Sequence, residues 1–161
     1  MNPELVIDHQ IRPGDIGYLI YLHGKRYALE NGYLQGLEIY TMESMLDSLK
    51  NFSPDKDRFW IARHNDTIVG SIALMNRGDL AQLRYFLIEP DYRGYGLGNR
   101  LMQLFIDFMH RCGYQGAYLW TTNELPAAAH LYRKFGFVLT EEVPSEQFGK
   151  HTIEQKYELR N

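Results

Sequence analysis

The spacing of apolar residues divides the chain into a helical first third, a run of strands and a mixed final part. Apolar and polar residues alternate over residues 5–11, which predicts a half-buried strand. One helix is predicted from Asp15, a good helix cap, to Gly24, and another from Thr41, where apolar residues follow a period of 3.6. Between them, glycines and scattered tyrosines and glutamates predict a short helix and an irregular loop over residues 25–40.

Residues 58–88 follow the two-residue period of strands instead. Strands are predicted over 58–64 and 67–75, joined by the compact turn Asn65-Asp66, and a third over 81–88. The strongest helical pattern begins at Leu97 and keeps its apolar residues on one face as far as Cys112. A strand over 117–121, a helix opened by Pro126, and two strands over 137–143 and 152–159, expected to be an antiparallel pair, complete the chain. Because a helix connects them, the strands over 81–88 and 117–121 are predicted to be parallel.

The resulting order, β-α-α-β-β-β-α-β-α-β-β, predicts a mixed α/β sheet in a single domain over residues 1–161. The formal net charge of −3 does not favour nucleic-acid binding, which needs a basic face. No apolar run reaches the roughly 20 residues of a membrane span. One cysteine, Cys112, is typical of a reducing compartment, so we expect a cytoplasmic protein. The six histidines show no metal-like pairing, and no metal site is predicted.

A predicted strand passes into a predicted helix through Arg93-Gly94-Tyr95-Gly96-Leu97-Gly98. Backbone N–H groups at a helix start lack partners, the helix dipole adds positive charge there, and glycines let a ligand approach the backbone. The junction is therefore predicted to bind a phosphate-bearing ligand. The P-loop pattern fails, because Asn99-Arg100 follows Gly98 where Lys-Ser/Thr is needed. The dinucleotide fingerprint is weak, because the spacing is G-x-G-x-G.

A third pattern matches this junction. Arg93-x-x-Gly96-x-Gly98 resembles the R/Q-x-x-G-x-G/A acyl-CoA signature of the GCN5-related N-acetyltransferases, the GNAT superfamily. Residues 131–137 are similar to the family's L-Y-x-K-x-G-F block, and the predicted order of elements looks like the GNAT fold. Residues 81–94 and 124–132, with a block over 23–32, look like the GNAT domain found fused to MarR-type regulators. We therefore expect the chain to correspond to the catalytic half of such a fusion.

The resemblance implies an N-acetyltransferase that transfers acetyl from acetyl-CoA to a primary amine by direct attack in a ternary complex. It assigns Tyr132 as the general acid for the departing thiolate. Many family members carry an asparagine where this chain has Leu125, and Asn123 is the candidate substitute. The cofactor-binding residues that it implies are Phe86, Leu87 and Ile88 for the pantetheine arm, and Arg93, Gly94, Tyr95, Gly96, Leu97, Gly98 and Asn99 for the pyrophosphate.

The acceptor is less well defined by the sequence. Glu30 and Glu38 are candidate acceptor-site carboxylates, and Arg84 could face the acceptor, although solvated carboxylates and a salt-bridged sheet arginine explain these residues as well. The acidic balance slightly favours a cationic small amine or a lysine-like group. The terminal strands could pair in a homodimer. The alternative function is a non-catalytic acyl-CoA-binding or sensing module, which would keep the glycine turn and dispense with Tyr132 chemistry.

Overall fold

The computed structural model describes residues 3–161, so Met1 and Asn2 of the predicted domain lie outside the described residues. The predicted order of helices and strands is confirmed, with a single 3-10 turn added at Pro90–Tyr92. The strands are β1 (Val6–Asp8), β2 (Arg58–His64), β3 (Thr67–Arg77), β4 (Leu80–Ile88), β5 (Gly116–Thr122), β6 (Val138–Ser145) and β7 (Thr152–Arg160). The helices are α1 (Asp15–Asn31), α2 (Gln35–Lys50), α3 (Leu97–Arg111) and α4 (Pro126–Lys134).

The chain folds as two compact units. Unit one holds the residues up to Asp15, residues 53–117 and residues 160–161, and unit two holds residues 16–52 and 118–159. None of the helices in the described part of the chain is both long and apolar enough to cross a membrane.

Unit one is an antiparallel meander in the order β1-β2-β3-β4, with α3 packed on β3 and β4. The predicted turn between β2 and β3 is confirmed, and Asn65 and Asp66 both take the positive φ, 48° and 63°, that a tight hairpin requires. In the core, the ring of Trp60 meets that of Phe108 edge-on at 5.7 Å. β1 has three residues, so the strand is shorter than the predicted span of 5–11.

A buried ion pair secures the start of α1. The Arg63 guanidinium donates to both oxygens of Asp15, at 3.1 and 2.7 Å, and the backbone N–H of Arg12 donates to the same carboxylate at 2.7 Å. Burial alone would raise the pKa of Asp15, but these hydrogen bonds and the Arg63 charge hold it below the ordinary value. Asp15 is therefore the first residue of α1 as predicted, with an arginine partner from β2.

The first long helix of unit two differs from the prediction, because α1 continues through Gly24 to Asn31. A Cβ at Gly24 would lie 3.0 Å from Glu38 Oε2 and 3.3 Å from Glu38 Cβ, so this glycine allows α1 and α2 to approach each other. The glycine that follows the end of α1 is Gly32, whose φ of +70° leaves the right-handed helix. The predicted irregular loop over 25–40 is also wrong, because α1 continues to Asn31 and α2 begins at Gln35.

The second helix, α2, begins at Gln35 rather than at Thr41. Met45 is buried, but Met42 and Leu46 from the same predicted apolar pattern are about half exposed. The buried residues of α2 are Leu37, Thr41, Met45 and Ser48. Thr41 and Ser48 are thus on the buried face although they carry hydroxyl groups, so the buried face differs from the one that the apolar residues predict. The Thr41 hydroxyl donates to the Leu37 carbonyl at 2.8 Å.

The loop between β6 and β7 is tied to the junction of α1 and α2 within unit two. The Leu34 N–H donates to the Phe148 carbonyl at 2.9 Å, and the Tyr33 and Phe148 rings stack at 5.3 Å. A Cβ at Gly36 would lie 2.5 Å from the Gln147 carbonyl oxygen, so the approach requires glycine. The predicted antiparallel pairing of the last two strands is confirmed, and β6 is exposed along almost its whole length.

Stability is expected to depend on His23 between about pH 6.5 and pH 4. His23 is buried on α1 and donates through Nδ1 to the Leu19 carbonyl at 2.7 Å, and its burial lowers the pKa to about 4. The unfolded chain, in which a histidine pKa is about 6.5, then takes up a proton that the native state does not, so the free energy of unfolding falls by about 2–3 kcal/mol as the pH falls through this window. Urea unfolding at several pH values measures it.

The matched variants are His23→Gln, which should lose most of this pH dependence, and His151→Gln, which should keep it because His151 is exposed. An unchanged slope in His23→Gln would contradict the assignment. Asp15 does not contribute to this pH dependence. Its pKa is lowered in the native state, so the stability that it supplies is lost only at more acidic pH, as the pH falls below the ordinary aspartate pKa.

Candidate functional site

The candidate donor site begins at an irregularity in β4. The register between β3 and β4 shifts between Ser71 and Ala73, which pair with Leu87 and Arg84. β4 therefore has one extra residue, a β-bulge, and Tyr85 within it has a φ of +53°. This left-handed backbone is uncommon for an aromatic residue and costs about 1–2 kcal/mol.

Ser71 stabilises the bulge from the neighbouring strand. Its hydroxyl donates to the Tyr85 carbonyl at 2.6 Å, and its side chain is fully buried. The Tyr85 ring stacks on Phe59 at 5.7 Å. A strained backbone that neighbours hold in place marks a candidate functional position, and the three residues predicted for the pantetheine arm follow it directly. Of these, Leu87 is buried, and Phe86 and Ile88 are half-buried.

Two hydrogen bonds shape the segment between β4 and the glycine turn. The Glu89 N–H donates to the Val69 carbonyl at 2.8 Å. The Arg93 side chain donates through Nε to the Ile88 carbonyl at 2.9 Å. The arginine of the signature thus bonds back to the end of β4, which gives it a positioning contact in addition to its predicted role in binding the cofactor.

The predicted glycine turn is exposed and leads directly into α3. Gly94 and Gly96 have φ of +84° and +82°, and a Cβ on either would meet no described atom within 4 Å. Their backbone conformation therefore requires glycine, while the open space around them leaves room for a ligand. Leu97, the first residue of α3, is fully buried and anchors the helix start.

The start of α3 has the electrostatic properties of an anion site. Gly96 is its N-cap, and no described side chain caps this end. The first turn, all of it described, carries no acidic residue, while Arg93 and Arg100 flank it. Backbone donors and the helix dipole therefore face outward at an exposed turn, which fits the pyrophosphate of an acyl-CoA.

Gly70, which the sequence interpretation did not single out, completes this geometry. A Cβ at Gly70 would lie 3.2 Å from both the Leu87 carbonyl oxygen and Leu97 Cδ2. Gly70 therefore allows β3, the end of β4 and the start of α3 to pack closely. The consecutive small residues Gly70-Ser71 inside an apolar strand are the signal that could have identified both positions.

Tyr132, the predicted general acid, lies on α4 in unit two. Its side chain is about 5% exposed and its ring contacts those of Phe137 and Tyr157 at 6.1 and 6.0 Å. Burial raises the pKa of its hydroxyl far above the ordinary value, and Tyr27 and Tyr157 add to the shift. The hydroxyl is therefore protonated at neutral pH, which is the form that a general acid requires.

The remaining predicted site residues are placed as follows. Asn123 is exposed and bonds to β7, because its N–H donates to the Ile153 carbonyl at 2.9 Å and its Oδ1 accepts from the Ile153 N–H at 3.1 Å. Glu30 and Glu38 are exposed in unit two. Arg84, in unit one, is half-buried, with its guanidinium 5.3 Å from the centre of the Tyr85 ring.

Unit two also contains a polar group that the sequence interpretation missed. The Tyr33 hydroxyl is 2.6 Å from Thr122 Oγ1. Burial raises the pKa of Tyr33; the hydrogen bond to Thr122 opposes this shift, and the Glu124 charge adds to it. Lys150 donates to the Glu124 carboxylate at 2.9 Å and to the Asn31 carbonyl at 3.0 Å. These residues are far apart in sequence, so no local motif indicates them.

Comparison with known proteins identifies related sequences. The family model described as Acetyltransferase (GNAT) family matches residues 21–137, more than half of the chain. A protein of Xenopus tropicalis named probable N-acetyltransferase camello is 29% identical over 102 residues, which cover 61% of this chain and 47% of that protein. An uncharacterized N-acetyltransferase of Schizosaccharomyces pombe is 30% identical over 118 residues, which cover 68% and 72%. The chain thus spans about half of the Xenopus protein's length.

Solved structures show the same fold. An acetyltransferase of Streptococcus agalactiae superposes with a TM-score of 0.79 at 21% identity, over 98% of each chain. An acetyltransferase of Salmonella typhimurium, solved with its cofactor acetyl-CoA, superposes with a TM-score of 0.75 at 16% identity, over 97% of this chain and 93% of that one. The predicted fold class is confirmed.

Replacing Ser71 by alanine is expected to lower the free energy of unfolding by about 1–3 kcal/mol, because it removes a hydrogen bond to a buried carbonyl. Ser44→Ala is the matched control, since the Ser44 hydroxyl bonds to the Thr41 carbonyl within its own helix and should cost less. Urea unfolding compares the two. Equal losses would show that the bulge does not depend on Ser71.

Proposed function

This chain belongs to the acetyltransferase (GNAT) family, and we propose that it transfers an acetyl group from acetyl-CoA to a primary amine by direct attack in a ternary complex. The observation that carries the proposal is the start of α3, where two left-handed glycines, exposure and the absence of acidic residues from a fully described first turn make a backbone anion site. The family supplies the identity of the anion, a CoA pyrophosphate.

In this proposal the donor is held mainly by backbone groups. Residues 93–99 bind the pyrophosphate through the amides around the α3 start, and Phe86, Leu87 and Ile88 bind the pantetheine arm through the backbone beyond the bulge. Asn123 is proposed as a further cofactor contact, in place of the asparagine that many family members have at the position of Leu125. The arrangement of residues 85–97 supports the assignment, because the bulge, the buried Leu97 and the glycine turn lie in one continuous segment.

The reaction proposed for Tyr132 balances in bonds and protons. Acetyl-CoA supplies a thioester carbonyl, at which the amine nitrogen forms a C–N bond while the C–S bond breaks. The nitrogen gives one proton to water or to a nearby carboxylate, the departing thiolate takes one from the Tyr132 hydroxyl, and the tyrosinate then takes one proton back from water. The place of Tyr132 in the family-like block over residues 131–137 supports this role, and its burial keeps the hydroxyl protonated until the thiolate forms.

The acceptor is proposed to be a cationic small amine or a lysine-like group. Glu30 and Glu38 are exposed carboxylates on α1 and α2 and could attract an ammonium or take its proton, and Arg84 is the other candidate acceptor contact. An amine with a pKa near 10 must lose a proton before it attacks. The names of the Xenopus and Schizosaccharomyces relatives, both N-acetyltransferases, support a nitrogen acceptor.

Four further expectations remain proposals. Residues 1–161 act as a single GNAT domain, and the chain is akin to the GNAT domain fused to MarR-type regulators, which the segments 81–94 and 124–132 support. It works in the cytoplasm, which its single cysteine supports. It forms a homodimer through a terminal strand, which the exposure of β6 supports.

Replacing Tyr132 by phenylalanine separates the enzyme from a non-catalytic acyl-CoA-binding module. We expect kcat to fall on the order of 10²- to 10⁴-fold because the general acid is lost, with CoA affinity nearly unchanged. Tyr114→Phe is the control, since it removes a hydroxyl bonded at 2.7 Å to the Lys56 carbonyl in unit one. Steady-state kinetics with a panel of amines and calorimetric titration with CoA measure both quantities. CoA binding without transfer to any amine would support the module.

The pH dependence of turnover gives an independent test of the same acid. A general acid is active below its pKa, so the raised pKa of Tyr132 extends the active form to alkaline pH. We expect kcat to rise with pH as the amine deprotonates and to show no decline up to about pH 10. A decline between pH 7 and about 9 in the wild type, absent from Tyr132→Phe, would contradict the assigned pKa direction.

A further inference from the structure

The tip of the β2–β3 hairpin contacts the segment that leads into the glycine turn. His64 is the last residue of β2 and precedes the Asn65-Asp66 turn. Its Nδ1 lies 2.7 Å from the Tyr92 hydroxyl, and the two rings meet edge-on at 5.6 Å. Both side chains are half-buried. The contact joins residues 28 positions apart within unit one.

Tyr92 is well placed to fix the turn. It ends the 3-10 turn Pro90–Tyr92 and immediately precedes Arg93 and the left-handed Gly94. Its own N–H donates to the Glu89 carbonyl at 2.9 Å, so backbone and side chain are both bonded. Beyond it the glycines, which have open space around them, supply no side-chain packing of their own. The turn is therefore held from its two ends, by Tyr92 and the Arg93–Ile88 hydrogen bond before it and by the buried Leu97 after it.

We propose that His64 is a positioning residue for the acyl donor: through Tyr92 it holds the glycine turn in the geometry that directs the α3 N-terminal amides at the CoA phosphates. The inference rests on the proposed function and adds a residue from the β2–β3 hairpin to it. His64 itself is not assigned a contact with the donor. Its effect is expected in donor affinity, because an ordered turn binds without first losing conformational freedom.

The hydrogen-bond chemistry selects the variants. Either the tyrosine O–H donates to Nδ1, or an Nδ1–H donates to the tyrosine oxygen, and the contact persists in both cases. Asparagine places an amide group at about the same distance from the backbone as Nδ1, so His64→Asn should retain the bond. His64→Ala removes it. Tyr92→Phe removes only the hydroxyl and keeps the ring contact, so it tests the bond without emptying the site.

The experiment is calorimetric titration of the full chain with CoA, paired with steady-state kinetics in acetyl-CoA. Tyr92→Phe and His64→Ala should each weaken CoA binding by about 3- to 10-fold, the range expected for loss of one hydrogen bond. The double variant should bind no more weakly than His64→Ala, because that substitution already removes both the hydrogen bond and the ring contact. His64→Asn should restore most of the affinity. The KM for acetyl-CoA should rise in parallel, while kcat at saturating donor stays within about twofold of wild type.

Tyr114→Phe is the matched control, since Tyr114 follows the far end of α3 and its hydroxyl bond has the same 2.7 Å length. Its CoA affinity should equal that of wild type even if its melting temperature falls. Wild-type CoA affinity in Tyr92→Phe and His64→Ala, or additive losses in the double variant, would overturn the inference alone. A wild-type chain that binds no CoA would overturn the proposed function together with it.

Discussion

The hydrogen bond from the buried Ser71 hydroxyl to the Tyr85 carbonyl is the contact on which the candidate donor site depends. It stabilises a left-handed tyrosine that would otherwise relax to an extended strand conformation. Because side chains alternate along a strand, the extra residue in β4 changes which groups face each side from Phe86 onward. This bond therefore helps to orient the end of β4, and the turn that follows is held in addition by the Arg93–Ile88 and His64–Tyr92 hydrogen bonds and by the buried Leu97.

The same small pair of residues in β3 connects the bulge to the helix start. Gly70 leaves room for the Leu87 carbonyl and the Leu97 side chain, and Ser71 supplies the donor for Tyr85. A Cβ at position 70 would lie 3.2 Å from both groups, so the Leu87 carbonyl and the Leu97 side chain would have to shift to admit it. The anion site is thus built mainly from backbone amides whose directions are set by packing several residues away.

The order of elements and the glycine turn before α3 could be predicted from the sequence because their signals are local. Alternation marked the strands, and glycines after an arginine marked the turn. Gly24 misled the prediction for α1, because a glycine that ends a helix and a glycine that admits a neighbouring helix look alike in sequence, and Glu38 lies 14 residues away. The bulge at Tyr85 was equally invisible, since its partner Ser71 comes from another strand.

Structures that are only 16% and 21% identical to this chain share its fold. To bind an anion, the amides at a helix start need glycines that let the ligand come close and a few side chains that hold the turn in place. Most other positions of the chain can change without loss of this binding. Acceptor recognition needs particular side chains, and the candidates in unit two, such as Glu30 and Glu38, are exposed. We therefore expect acceptor preference to change with few substitutions in unit two, while donor binding continues to depend on the backbone of residues 85–99 in unit one.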